Sequence, residues 1–306
     1  MGEPKTVLVL GGGGFIGRHT VEHLRAASRE VRVLDLYKPE DVHVDIDWRI
    51  GGSFDREALR LALDGVAAVV DLSASGRPGM TISSLSSDIA HNLAATLETV
   101  EICRDAGARR YVFPSSGGTV YGLSAAASLT EDAHCLPINA YGAGKLAAEH
   151  YLRLLKTPDF RAVVLRVANP FGEGQRPAHG QGFIGAVFDA AHRKAALEIW
   201  GNGHTIRDFI YVGDVAEAFD KALDYAGAEN LFNVGSGVGR DLNTVMRAIR
   251  DETGVDVEKA YLPERRIDIG SNVLDISLAG RELGWTPRTD FRDALRRTAQ
   301  WWAQKR

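Results

Sequence analysis

The chain has 306 residues, 45% of them hydrophobic and 25% charged, with a net charge of −4. That balance belongs to an ordinary globular protein and gives no reason to expect nucleic acid or an anionic membrane as a partner. Cys103 and Cys135 fall in no CxxC or other metal-ligand spacing, so neither a disulfide framework nor a metal site is expected. No apolar run approaches the roughly 18 residues of a membrane span. Glycines break the apolar stretch near the N-terminus, which is not the layout of a signal peptide, so a cytoplasmic protein is expected.

Residues 7–10 are apolar, residues 11–14 are four glycines, and an amphipathic segment runs from Phe15 through Val21 and Leu24. This predicts a strand, a tight turn and a helix start. Glycines at 11, 14 and 17 suit a sharp turn, a close approach by a pyrophosphate and tight packing of helix on strand. The helix start offers unpaired N–H groups and a partial positive charge to phosphate. A second strand at residues 31–34 ends on Asp35, an acid able to take both ribose hydroxyls of an adenosine.

Further strands are predicted at 48–50, 67–72, 111–113 and 162–166, and helices at 55–63, 82–106 and 141–155, with Gly107 as the stop of the long one. Strands alternating with helices imply parallel pairing and right-handed crossovers. Ligands bind at the carboxyl ends of such strands, where Asp35, Ser73, Ser115 and Ser116 stand. From Asn169 the chain becomes rich in glycine and proline, which signals departure into a second lobe. That lobe reads as strands at 197–200, 209–211 and 257–261 and helices at 215–225, 243–253 and 291–302. The expected fold is a doubly wound α/β parallel sheet of the Rossmann type (residues 1–168 plus 206–232), with a smaller C-terminal α/β lobe (169–205 plus 233–306).

Tyr141 and Lys145 are four apart at a helix start and share one face. They follow a strand ending in Ser-Ser, and Gly142 between them keeps the helix start slim. A phenol with a reference pKa of about 10 is too weak a base at neutral pH. A nearby ammonium, with an oxidised nicotinamide, would favour the phenolate. Tyr141 could then take a proton from a substrate hydroxyl as hydride leaves the same carbon, with Lys145 also bonding the nicotinamide ribose.

Several stretches together resemble an extended short-chain dehydrogenase/reductase of the NAD-dependent epimerase/dehydratase family, most similar to nucleotide-sugar 4-epimerases of the UDP-glucose 4-epimerase kind. They are Gly11-Gly-Gly-Gly-Phe-Ile-Gly17, Asn92 with Thr96, Ser115-Ser-Gly-Gly-Thr-Val-Tyr-Gly122, Tyr141-Gly-Ala-Gly-Lys145 and Arg166-Val-Ala-Asn169-Pro-Phe-Gly172. The block from Gly201 through Arg207-Asp208 to Asp214, Arg265-Arg-Ile-Asp268 and Leu283-Gly-Trp-Thr-Pro287 complete the set. The resemblance covers nearly the whole chain.

It implies bound NAD, held by Gly11, Gly14, Phe15, Ile16, Gly17, Asp35, Leu72, Ser73, Ala74, Asn92, Ser115, Tyr141 and Lys145. Asp35 would disfavour a 2′-phosphate. It implies a nucleotide-sugar substrate contacted by Thr119, Asn169, Trp200, Arg207, Arg265, Asp268 and Asn272, the arginines matching phosphate geometry. Trp200 is open to two readings, a contact to the base or a core aromatic, and Arg207 to phosphate binding or a surface ion pair with Asp208. The resemblance also implies a homodimer paired through the helices near 82–106 and 139–155.

The chain departs from the family at several points. Gly117 stands where many members carry a catalytic Ser or Thr, leaving Ser116 or Thr119 to supply that hydroxyl. Asp71-Leu-Ser stands where relatives often have His-Leu-Ala, and Gly144 precedes the lysine in place of Ser. Asn272, shorter than Tyr, falls where strict hexose epimerases narrow the sugar pocket, which implies room for an N-acetyl sugar. The expected activity is 4-epimerisation through a 4-keto sugar, with Tyr141, Lys145 and Ser116 catalytic. The alternatives are NAD(P)H-dependent reduction of a 4-keto-6-deoxy sugar nucleotide and, against the presence of Tyr141 and Lys145, a non-catalytic NAD-binding protein.

Overall fold

The computed structural model describes residues 6–40, 43–73, 85–124, 126–177, 182–264 and 269–304. The chain begins with β1 (Thr6–Leu10), α1 (Phe15–Ala26), β2 (Val31–Asp35), β3 (Asp47–Ile50), α2 (Arg56–Ala62) and β4 (Val66–Asp71). It continues with α3 (Leu85–Asp88), a π-helical turn (Ile89–Ala94), α4 (Ala95–Asp105), β5 (Arg110–Ser116), α5 (Ala140–Leu154) and β6 (Arg161–Val167). Next come β7 (Asn169–Phe171), α6 (Phe183–Arg193), β8 (Leu197–Trp200), β9 (Ile206–Tyr211), α7 (Val212–Asp224) and β10 (Leu231–Val234). The last elements are β11 (Gly239–Asp241), α8 (Leu242–Thr253), β12 (Lys259–Leu262), β13 (Ser271–Asn272), α9 (Ser277–Leu283) and α10 (Phe291–Ala303).

Seven parallel strands form the large sheet in the order β10-β6-β5-β4-β1-β2-β3. All five residues of β1 are buried, because both faces of the sheet are covered. Alternation divides them. Val7 and Val9 pack with Val21 and Leu24 of α1 and Phe219 and Ala222 of α7. Leu8 and Leu10 pack with Leu59 of α2, Val100 and Cys103 of α4, and Ala148 and Leu152 of α5. The chain leaves β1 toward β2 on one side and returns to β4 on the other, which opens a crevice at the carboxyl ends of β1 and β4.

In the large sheet and its covering helices the structure departs from the sequence pattern in two places. The long helix, described from Leu85 onward, is interrupted by its π-helical turn, which contains Asn92. The seventh strand, β10, was not anticipated. It is four residues long and pairs in parallel with Val164–Val167 of β6, and its polar Asn233 is accommodated because the side-chain amide donates to the carbonyls of Leu129 (2.7 Å) and Asp275 (3.0 Å).

In the second lobe, β9 pairs with β7 and β13 in parallel and with β11 antiparallel, and β8 pairs with β12. Residues 206–232 therefore divide: β9 joins the smaller sheet, whereas α7 and β10 pack with the large one. Phe171, Phe188, Phe209, Val245 and Leu295 form a separate core there. Among the described residues, no helix is long and apolar enough to cross a membrane.

Candidate active site

The glycine loop lies at the crevice between β1 and β4. Gly11 has φ +73° and its added Cβ would lie 2.7 Å from the Leu72 carbonyl oxygen, so only glycine fits without strain. A Cβ at Gly17 would run into the Gly11 carbonyl. Gly14 makes the mildest demand: it is the extended N-cap residue of α1 and its Cβ would stand 3.3 Å from the Gly11 oxygen. Phe15 and Ile16 open α1 and are half-buried. The Asp35 carboxylate accepts the Gly13 N–H at 2.8 Å, and the Tyr37 hydroxyl donates to the Gly13 carbonyl at 2.9 Å. The loop and the acid after β2 are thus one unit, and the cradle they leave suits a dinucleotide pyrophosphate and ribose. Leu72 continues the edge of the crevice by donating its N–H to Leu10 (2.9 Å), with Ser73 beside it. Ala74 lies outside the described residues.

Helix α5 is capped by Asn139, whose side chain accepts the Gly142 N–H at 2.8 Å. A Cβ at Gly142 would stand 2.9 Å from the Thr119 carbonyl, so glycine there brings α5 against the end of β5. Tyr141 and Lys145 face β5 together. The Lys145 ammonium donates to the Pro114 carbonyl at 2.8 Å, stands 4.3 Å from the Phe113 ring centroid and 5.8 Å from that of Tyr141. Burial lowers Lys145 to about 8, opposed by the charges of Asp71 and Glu149. Burial pushes the Tyr141 hydroxyl up to about 12. The expected lowering of Tyr141 by the lysine is therefore not expressed in the protein alone, because desolvation outweighs an ammonium held against Phe113 and Pro114.

The two serines at the end of β5 part company. Ser115 is buried and its hydroxyl donates to Glu149, one turn beyond Lys145 on α5. Arg166 grips the same carboxylate from β6, with its closest contact at 2.7 Å, and donates to the Glu131 carbonyl at 3.1 Å. The Ser115 side chain is thus committed to the interior, whereas Ser116 is half-buried and its carbonyl accepts the N–H groups of Thr119 (3.1 Å) and Val120 (3.0 Å). Gly117 has a steric reason: a Cβ there would stand 2.6 Å from Leu274 Cδ1 and 2.9 Å from the Arg166 carbonyl. The Asn272 amide donates to the Gly117 carbonyl at 3.0 Å. Thr119 Oγ1 and Asn272 Oδ1 are buried without a hydrogen-bond partner, a combination that suits a hydroxyl-bearing ligand at this turn.

From the second lobe, Asn169 donates to the Asp208 carbonyl at 2.9 Å, and a Cβ on Gly118 would stand 3.6 Å from its side-chain oxygen. Arg207 and Asp208 point to opposite faces of β9. Asp208 is fully buried and accepts from Ser236 N and Oγ (both 2.7 Å), Gly237 N (3.1 Å) and Leu274 N (3.3 Å). Arg207 donates to the Ile269 carbonyl at 2.6 Å. Trp200 is 38% exposed at the outer face of β8, so it is not a core aromatic. Arg265 and Asp268 lie outside the described residues.

Glu149, Tyr111 and Asp71 have no functional role in the sequence pattern. Glu149 carried a signal: it stands four residues after Lys145 and so shares its helix face. Asp71 is an acid closing a wholly apolar strand, a placement that costs folding energy unless the side chain is hydrogen-bonded.

Sheet, glycine loop and strand-end acid define a dinucleotide-binding α/β protein with a Tyr–Lys pair beside the crevice. The chain belongs to the NAD dependent epimerase/dehydratase family, whose profile matches residues 7–235. It is 30% identical to the UDP-glucose 4-epimerase of Mycolicibacterium smegmatis, over 97% of this chain and 98% of that one. It is 28% identical to the dTDP-4-dehydro-6-deoxyglucose reductase of Escherichia coli, over 94% of this chain and 95% of that one. Among solved structures, the UDP-glucose 4-epimerase of Thermotoga maritima with UDP-glucose superposes with a TM-score of 0.91 at 28% identity, covering 98% of this chain and 99% of that one.

Proposed function

We propose that this chain is an NAD-dependent nucleotide-sugar 4-epimerase acting on a UDP-hexose or UDP-N-acetylhexosamine. The observation that carries the reading is Tyr141 and Lys145 on one face of α5, pressed by Gly142 against the hydroxyl-bearing turn after β5. NAD, when bound, supplies the acceptor and then the donor of one hydride. Tyr141 takes the proton of the sugar 4-hydroxyl and returns it after the 4-keto sugar has turned. A hydroxyl raised to about 12 by burial needs added positive charge to act as a base, and the Lys145 ammonium is the protein's contribution. Ser116 or Thr119 hydrogen-bonds the reacting oxygen, and Asn272 holds the turn that carries them. Asn169 and Arg207, with Arg265 and Asp268, hold the nucleotide diphosphate portion of the substrate, the arginines binding its phosphates, and the exposed Trp200 meets the base.

The relatives that cover nearly the whole chain include both a 4-epimerase and a 4-keto sugar reductase. The overlay with the T. maritima epimerase supports epimerisation. Leu85 and Ile89 on one helix and Tyr151 and Leu154 on α5 are exposed, which supports a homodimer paired through these helices. A cytoplasmic location accords with a nucleotide-sugar substrate. The test is a panel of UDP-glucose, UDP-galactose and their N-acetyl forms with and without added NADH. Conversion to the 4-epimer without added cofactor is expected. Stoichiometric NADH consumption on a 4-keto-6-deoxy sugar nucleotide, without epimerisation, would overturn the reading in favour of the reductase.

A further inference from the structure

The carboxyl end of β4 carries a buried acid that neither the glycine loop nor the second lobe uses. Asp71 is 4% exposed. It accepts from the Tyr111 hydroxyl on one oxygen and from the Ser73 N–H (3.1 Å) and hydroxyl on the other. These donors are neutral, so they stabilise the carboxylate and leave its charge in place. Glu149 differs, because Arg166 binds it with both Nε and a terminal nitrogen and matches its charge.

Register places Asp71 on the strand beside the one over which the lysine stands. Val69 of β4 lies opposite Tyr111 and Val70 opposite Val112, which carries Asp71 to the level of Phe113. Alternation turns Asp71, Tyr111, Phe113 and Ser115 to the face covered by α4 and α5. The Lys145 ammonium stands over Phe113 on that face. It is thus flanked by Asp71 from the neighbouring strand and by Glu149 one turn along its own helix.

We propose that Asp71 is the counter-charge of Lys145, a positioning residue that keeps this ammonium charged inside the site while fixing Ser73 at the edge of the crevice. The proposal rests on the role given to Lys145 above. The charged and titratable groups around the ammonium are Asp71 of β4, Tyr141 and Glu149 of α5, and Arg166 of β6 through Glu149. Tyr111 of β5 and Cys103 of α4 face Asp71. Both are held protonated, by burial first and by the Asp71 charge in addition, so neither competes with the lysine as an anion. With the charge of Glu149 taken up by Arg166, the unmatched negative charge beside Lys145 is that of Asp71.

The test is Asp71→Asn, which keeps the size and an acceptor for Ser73 but removes the charge. Lysine labelled with 13C at the ε carbon reports each ammonium by NMR, and the Lys145 signal is the one absent from Lys145→Arg. In the wild-type protein it should titrate near 8. In Asp71→Asn its midpoint should fall by roughly one pH unit, and the alkaline limb of turnover should move down with it. Asp71→Glu should bring the midpoint back toward the wild-type value. An unchanged Lys145 midpoint in folded Asp71→Asn overturns the proposal. If that variant does not fold, Tyr111→Phe replaces it. Removing one neutral donor leaves the carboxylate more available to the ammonium, so the midpoint should rise, and an unchanged or lower midpoint overturns the proposal. The titration needs no substrate. A wild-type protein that epimerises nothing therefore removes the functional reading while the midpoints still decide the counter-charge.

Discussion

Between residues 6 and 35 the molecule shapes one side of its site from a single β1–loop–α1–β2 unit, with backbone groups and absent side chains: Gly11 in the left-handed region, Gly17 against Gly11, and the Gly13 N–H on Asp35. The other side is assembled from segments far apart in the chain. Asn272 reaches Gly117 across 155 positions, and Asp208 gathers Ser236, Gly237 and Leu274. A backbone cradle is insensitive to which side chains surround it but intolerant of any added Cβ. A side-chain assembly loses one hydrogen bond at a time. The Tyr141–Lys145 pair proposed as catalytic stands on α5 against the end of β5, and removing the Tyr141 hydroxyl should affect chemistry and leave the cradle intact.

The sharpest break is therefore Tyr141→Phe. Epimerisation should fall by about 10²–10⁴-fold while the NAD content of the purified protein, read from its absorbance after denaturation, stays the same. Loss of NAD in that variant would erase the distinction between chemistry and cradle. Gly17→Ala comes next. The methyl group meets the Gly11 carbonyl, so the variant should lose about 1–3 kcal/mol in urea unfolding and release its NAD on dialysis. Asn272→Leu tests the assembled side. It leaves the Gly117 carbonyl without its donor, and should cost about 1–2 kcal/mol with NAD retained and KM for the sugar nucleotide raised.

The last test reads a slope with pH. Burial holds Lys145 near 8 in the folded protein against 10.5 for an ordinary lysine. In that window the unfolded chain binds more protons, so this group makes stability rise with pH, by up to about 1.4 kcal/mol per unit. Tyr141 acts with the opposite sign above pH 10, since its folded pKa is raised to about 12 and its contribution fades as pH climbs through that value. Lys145→Met should remove the rise below pH 10, as measured by urea midpoints at pH 7.5, 8.5 and 9.5. An unchanged slope would show that the lysine is solvated and not the buried ammonium described here.

The alternating strands, the glycine loop with Asp35 and the Tyr141–Lys145 face were legible because each depends on local periodicity or on a spacing within one element. The strand β10 and the split of residues 206–232 were not. A four-residue run around Asn233 becomes a strand by pairing with β6, and its buried amide is satisfied only when Leu129 and Asp275 arrive to accept it. The sequence pattern puts Ser115 with the cofactor and Ser116 in catalysis, whereas strand alternation sends the Ser115 side chain to Glu149 and leaves Ser116 half-buried at the turn. Gly117 looked like a missing hydroxyl, whereas its neighbours Leu274 and the Arg166 carbonyl leave no room for a Cβ.

The amino-acid sequence by itself determined the doubly wound sheet, the glycine cradle and the shared helix face of Tyr141 and Lys145, since these follow from hydrophobic period and from glycine and side-chain placement within single units. Tertiary structure alone decided the electrical state of that pair. Whether Lys145 is charged and Tyr141 protonated depends on burial and on Asp71, Glu149 and Arg166, which three separate elements bring to one face. Charge interacts through space and strengthens as water is excluded, so beyond the Lys145–Glu149 spacing on α5 no pattern along the chain encodes it.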